Sequence, residues 1–250
     1  MNDQTPSAPP VIPANPIPTM TSPPPMIGNL LAAIESIVRN PDHLPYHLGR
    51  VGLGRMLGWL LAIVVGGGLL YGVITGTFSR GDQLWAAPLK IVGGLLFAGA
   101  ICLPSLYVLS CLSGSRGTLG EVTGVLCGLL ALTMVLLLSF APVVWVFSQS
   151  TESLVAMGVL HLVLWFVATA FGLRLLQRCF DQYAARSSGG LLCWTAIFLL
   201  VVLQMTTALR PIIGRSDSLL PKEKRFFLHH WSDCIDGKYS LKTDAETNSR

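Results

Sequence analysis

A histidine deep in an apolar run is the residue most able to do chemistry in this sequence. His161 lies well inside such a run, where an imidazole either bonds to a neighbouring helix or relays protons. Bonding between helices is the commoner role and the one expected. His43 and His47 stand four apart, so a helix would put both rings on one face, as metal ligands require. Pro41 and Pro45 flank them and no third ligand is near, so interfacial histidines are expected rather than a metal site. Near the C-terminus, His229, His230, Asp233, Cys234 and Asp236 crowd metal-capable side chains into one short stretch, with no paired ligand motif elsewhere. No metal and no cofactor is therefore expected. HExxH, GxSxG and a phosphate-cradling loop ahead of Lys-Ser/Thr are all missing, so enzymatic activity is not expected either.

Other charge near the apolar runs is sparse. Lys90 and Glu121 stand near run ends, where a lysine stem can carry its ammonium out to the interface. Arg174 falls in the last turn of its run. No Asp/Glu pair stands within a run, which argues against an ion-coupled pump. The six cysteines (Cys102, Cys111, Cys127, Cys179, Cys193, Cys234) form no CxxC pair and define no disulfide framework.

These residues are positioned by a chain that is 52% hydrophobic and only 12% charged. Soluble domains carry roughly twice that charged fraction. Crossing hydrocarbon takes about 20 residues at about 1.5 Å each. Five runs approach that length: 56–77, 87–109, 122–145, 154–176 and 191–208. The expected fold is all-α, a polytopic transmembrane bundle occupying 56–209. Short gaps make successive helices antiparallel neighbours and leave no room for a soluble domain between them.

Small residues recur every four positions. Gly58, Ala62 and Gly66 form one strip, continued backwards by Gly54. Gly68, Gly72 and Gly76 form a second, and Gly120, Gly124 and Gly128 a third. Such strips let helix backbones approach closely, which matters where lipid supplies no hydrophobic drive between helices. Packing within the chain is the first expectation for them; a homo-oligomer seam or another membrane protein is the second. Pro104 and Pro142 each remove a helix hydrogen bond and are expected to kink their helices, with Ser105, Ser110 and Ser139 placed to satisfy freed carbonyls.

Residues 1–25 are rich in proline and are expected to be a disordered tail. Within 26–55, Ile27, Leu30, Leu31, Ile34, Ile37 and Val38 follow helical spacing, ended by Pro41. That amphipathic helix is too short to span, and is expected in the interface plane or packed on the bundle. Residues 210–250 form a polar, basic tail whose Leu219–Trp231 stretch suits a membrane surface. Arg39, Arg50, Arg55, Arg116, Arg174, Arg178 and Arg186 fall on one side, which favours a cytoplasmic N-terminus. Arg210, Arg215, Lys222, Lys224 and Arg225 in the tail pull the other way when five spans are counted. No basic stripe interleaved with aromatics is present, so nucleic acid is not an expected partner and the lipid bilayer is.

Two stretches look familiar: PSLYVLSCLSG from Pro104 to Gly114, and QMTTALRPIIG from Gln204 to Gly214. They resemble uncharacterised bacterial polytopic membrane proteins with five short-looped spans, which implies a bacterial inner membrane. The layout, a Pro-rich N-terminus and then five helices, is similar to Yip1-domain proteins. The Asp-Leu-Tyr-Gly-Pro motif of eukaryotic Yip1 proteins is absent, so their trafficking role is not carried over. The leading expectation is a non-enzymatic scaffold or a subunit of a membrane assembly. A transporter or channel for a neutral or lipid-like solute, with Ser110, Thr123 and His161 lining its path, stands second. A membrane enzyme or metal-binding protein using the His229–Asp236 cluster stands third.

Overall fold

The computed structural model describes residues 27–79, 83–115, 117–150, 154–183 and 189–208. The Pro-rich arm, the basic tail and the His229–Asp236 cluster lie outside the described residues.

Helix is the only regular secondary structure among those residues. Helix α1 (Leu30–Arg39) starts where the Asn29 side chain accepts the Ala32 amide at 2.9 Å, satisfying one of the donors a helix start leaves free. A 3-10 turn (Pro41–His43) leads into α2 (Leu44–Arg50). Gly52, at φ 94°, then supplies the left-handed turn that redirects the chain into α3 (Leu53–Ser79). Next come α4 (Gln83–Leu112), α5 (Leu119–Ser150), α6 (Leu154–Gln182) and α7 (Gly189–Ala208). A capping box opens α5: Thr118 Oγ1 accepts the Glu121 amide, and Glu121 Oε2 accepts the Thr118 amide at 2.8 Å.

Among the described residues, four helices are long and apolar enough to cross a membrane: Leu53–Gly76, Ala87–Leu112, Leu119–Ser150 and Ala156–Gln182. The expected fifth run forms a helix too, but its apolar stretch, Gly189–Gln204, is shorter. Helix α6 runs on to Gln182, beyond the 176 expected. Arg174 therefore lies about two turns before the helix end, exposed and 5.6 Å from the Phe171 ring centre.

Helix α3 packs mainly on α4 and α5; α6 lies on α5 and α7 on α4. Gly120 meets Leu53 and Gly67 meets Met134, so α3 and α5 rise in the same direction. Glycine sets the closest approaches. The Gly72 backbone lies directly on Pro88 of α4, and Gly68 lies against Val92. Gly172 of α6 sits over Thr133 and the Leu129 carbonyl of α5, and Gly99 of α4 against Leu130. These positions hold helices together by contact area that any side chain would prop open.

The glycine strip on α5 does not receive another span. Gly120, Gly124 and Gly128 receive, in that order, Leu53, Leu48 and Leu44. The short segment before α3 is therefore seated along α5, in reverse order to the α5 chain. Gln182 Nε2 donates to the Asp42 carbonyl at 2.7 Å, and the Cys179 thiol faces the Pro41 carbonyl at 3.9 Å. Of the two settings expected for the amphipathic segment, packing on the bundle is the one observed. Ala33 and Ile37 of α1 are buried in the core, while Leu30, Leu31 and Val38 stay exposed. The helix thus uses two apolar sides, one toward protein and one outward.

Candidate functional site

Buried polar groups occur at both ends of the bundle and, as Thr133 and Thr169, midway along it. At the end bearing α1 and α2, His47 is buried and its ring stands 6.3 Å from that of His43 in an edge-on arrangement. Among the described residues no group of three or more His, Cys, Asp or Glu side chains gathers as a metal site would require. Burial, and secondarily the neighbouring His43, lower the His47 pKa below the ordinary 6.5. A lowered native value means that protonation favours the undocked segment. Docking of α2 is accordingly strongest above about pH 6.5 and weakens as pH falls below it. Hydrogen exchange of α2 amides should accelerate on acidification through that window, and His47→Phe should flatten the dependence.

Deeper in the opposite half, Tyr71 of α3 and His161 of α6 form a buried hydrogen bond at 2.9 Å, with the rings edge to face. His161 lies about 10 Å from the start of α6, and Tyr71 about 12 Å from the end of α3. If the Tyr71 hydroxyl donates to Nδ1, the ring proton sits on Nε2; the reverse assignment would leave two buried groups unpaired instead of one. Nε2 is buried and has no partner. An unpaired buried N–H costs about 1–3 kcal/mol. Thr75, one turn beyond Tyr71, turns its hydroxyl onto the Gly72 carbonyl.

Lys90 departs from its expected placement. It is 5% exposed, and its Nζ is buried without a hydrogen-bond partner, so the side chain turns into the protein rather than outward. Glu121, by contrast, is engaged in the α5 cap.

The small-residue positions divide sharply. Gly68, Gly72, Gly120, Gly124 and Gly128 face neighbouring side chains or backbone of the same chain, and Gly76 is buried. Gly58, Ala62 and Gly66 are exposed on the outer side of α3, and a Cβ at Gly58 or Gly66 would meet nothing within 4 Å. Leu61 and Val65 flank them and are exposed as well.

The prolines lie on the outside: Pro104 and Pro142 are exposed, and α4 and α5 continue through them. Their rings leave the Ala100 and Leu138 carbonyls without the usual donor. Ser105, Ser110 and Ser139 instead donate to the carbonyls of Cys102, Tyr107 and Val135. Ser110 and Thr123 bond within their own helices, Thr123 to the Leu119 carbonyl, so the residues expected to line a path with His161 do not converge on it through hydrogen bonds.

Two important residues carried only a generic signal in the sequence. Tyr71 and Trp194 each have a polar tip on an apolar body, and buried rings of this kind find a partner. Trp194 is fully buried, donates Nε1–H to the Cys102 carbonyl at 3.0 Å and stacks on Phe198, ring centres 5.0 Å apart.

With four helices able to cross a bilayer, packed through glycine faces and carrying large exposed apolar side chains, the chain is an integral membrane protein of the multi-pass, all-α class. No protein-family model, curated protein or solved structure matches it.

Proposed function

We propose that this protein is a non-enzymatic subunit or scaffold of a membrane assembly, and that it meets another transmembrane helix along the outer side of α3. One observation carries the reading. The chain buries or covers the glycines of its other two strips, whereas Gly58, Ala62 and Gly66 are left open toward the outside. A flat strip on an exposed helix suits close helix–helix contact, and a self-complementary strip suits a two-fold pair of identical chains. The Yip1-like layout belongs to the same reading. In mild detergent the native protein should migrate on a native gel as an assembly. Gly58→Ile with Gly66→Ile should migrate as a single chain of unchanged helicity. Equal migration of the two proteins would count against the proposal.

A second reading is favoured by the Tyr71–His161 pair. Its unpaired Nε2 offers a hydrogen bond within the bundle, as passage of a neutral, oxygen-bearing solute would use. On that reading, flux into proteoliposomes depends on His161 and is indifferent to the α3 strip.

A further inference from the structure

We propose that Lys90 binds the phosphate of an acidic phospholipid at the edge of the hydrocarbon layer. The ammonium is buried and has no partner, although leaving a cation unpaired in an apolar interior is strongly unfavourable. The described acids offer no counter-charge. Glu35 belongs to α1, Asp42 to the 3-10 turn, Glu121 to the start of α5 and Asp181 to the end of α6, all at the opposite end of the bundle. None of these reaches the ammonium, so no anion stands beside it among the described residues.

Depth selects which anion. The apolar stretch of α4, Ala87–Leu112, has 26 residues and is about 39 Å long. It exceeds a hydrocarbon core of about 30 Å by about 9 Å, or about 4.5 Å at each end when centred. Lys90 stands three residues past Ala87, about 4.5 Å along the axis. That is the level of the hydrocarbon boundary, just beneath lipid phosphates. A lysine's four-carbon stem is flexible, and an ammonium that holds no bond inside loses none by turning to a phosphate. Beside Lys90, the exposed residues Leu89, Phe97 and Ile101 follow one another along α4. Gly93, whose Cβ position is open, leaves a shallow notch between Leu89 and Phe97 for an acyl chain.

Native mass spectrometry of the full chain, offered equal phosphatidylglycerol and phosphatidylcholine, tests the proposal. The native protein should retain phosphatidylglycerol about fivefold over phosphatidylcholine, the ratio expected for one cation near the surface. Lys90→Met should bring the two lipids to parity. Lys90→Arg, and Arg39→Gln at the other end, should keep the preference. No preference in the native protein, which is decisive even if Lys90→Met fails to fold, would overturn the proposal. So would an undiminished preference in Lys90→Met. Displacement of the lipid by millimolar inorganic phosphate would point to a free anion instead and would equally overturn it.

Discussion

Gly72→Ala should separate α3 from α4. A Cβ at this position falls directly against the Cα of Pro88, 2.8 Å from its nitrogen and 2.9 Å from its Cβ. The obstacle is backbone and a closed ring, so no rotamer change relieves it; the helices themselves have to move. Overpacking of this kind costs about 1–3 kcal/mol, and the upper part of that range is expected here because backbone meets backbone. Gly66→Ala supplies the contrast. Nothing lies within 4 Å of its Cβ position, so alanine's better helix propensity acts alone and should stabilise the single chain by about 1 kcal/mol at most. The same substitution, six residues apart on one helix, should thus change sign. Thermal unfolding in a detergent strong enough to hold the protein as single chains, followed by circular dichroism, measures both. A destabilised Gly66→Ala, or a neutral Gly72→Ala, would contradict the packing described.

Trp194→Ala should release α7. This helix lies mainly on α4, and Trp194 is fully buried between them. Truncating a buried tryptophan costs about 3–5 kcal/mol. The loss includes the hydrogen bond to the Cys102 carbonyl and the stack on Phe198. Trp194→Phe retains most of the ring area and loses the hydrogen bond, so its cost should be about 1 kcal/mol. Amide exchange along α7 should rise steeply in the alanine variant and slightly in the phenylalanine variant, while α5 stays protected. Equal protection of α7 in all three proteins would show that other contacts hold it.

Helices α3 to α6 were legible in the sequence because each of their apolar runs is long enough to announce itself without knowledge of its neighbours. What each helix touches was less legible. Four-residue spacing reveals that Gly120, Gly124 and Gly128 make a flat face, but the face looks the same whether a span or a row of leucines fills it. Leu44, Leu48 and Leu53 fill it, and they lie within the 26–55 segment, for which the sequence allows either the interface plane or packing on the bundle. Likewise Gly58–Ala62–Gly66 and Gly68–Gly72–Gly76 share one helix and one spacing, yet the first faces outward and the second inward. Helix phase relative to the bundle decides that, and spacing alone does not contain it.

The polar groups follow the same division. His161 stood out as the titratable residue within a span, and a bond between helices was the expected role. Its partner, Tyr71, is 90 positions away, and only the fold brings the two together. The long stem of Lys90 lets the sequence place its ammonium at the interface. Length permits that placement without requiring it, and the side chain turns into the protein instead.

The outer side of α3, proposed above as the contact surface for a second transmembrane helix, is tested most directly by cysteine crosslinking in intact membranes, with Cys111, Cys193 and Cys234 replaced by serine. Ala62→Cys lies in the open strip, whereas Ala168→Cys lies on a buried position of α6. Oxidation should join Ala62→Cys chains into a covalent pair, or to a partner protein through a cysteine on its facing helix, and should leave Ala168→Cys chains single. A single-chain band for Ala62→Cys, even after addition of a short bifunctional thiol or thiol-to-amine reagent, would contradict the claim.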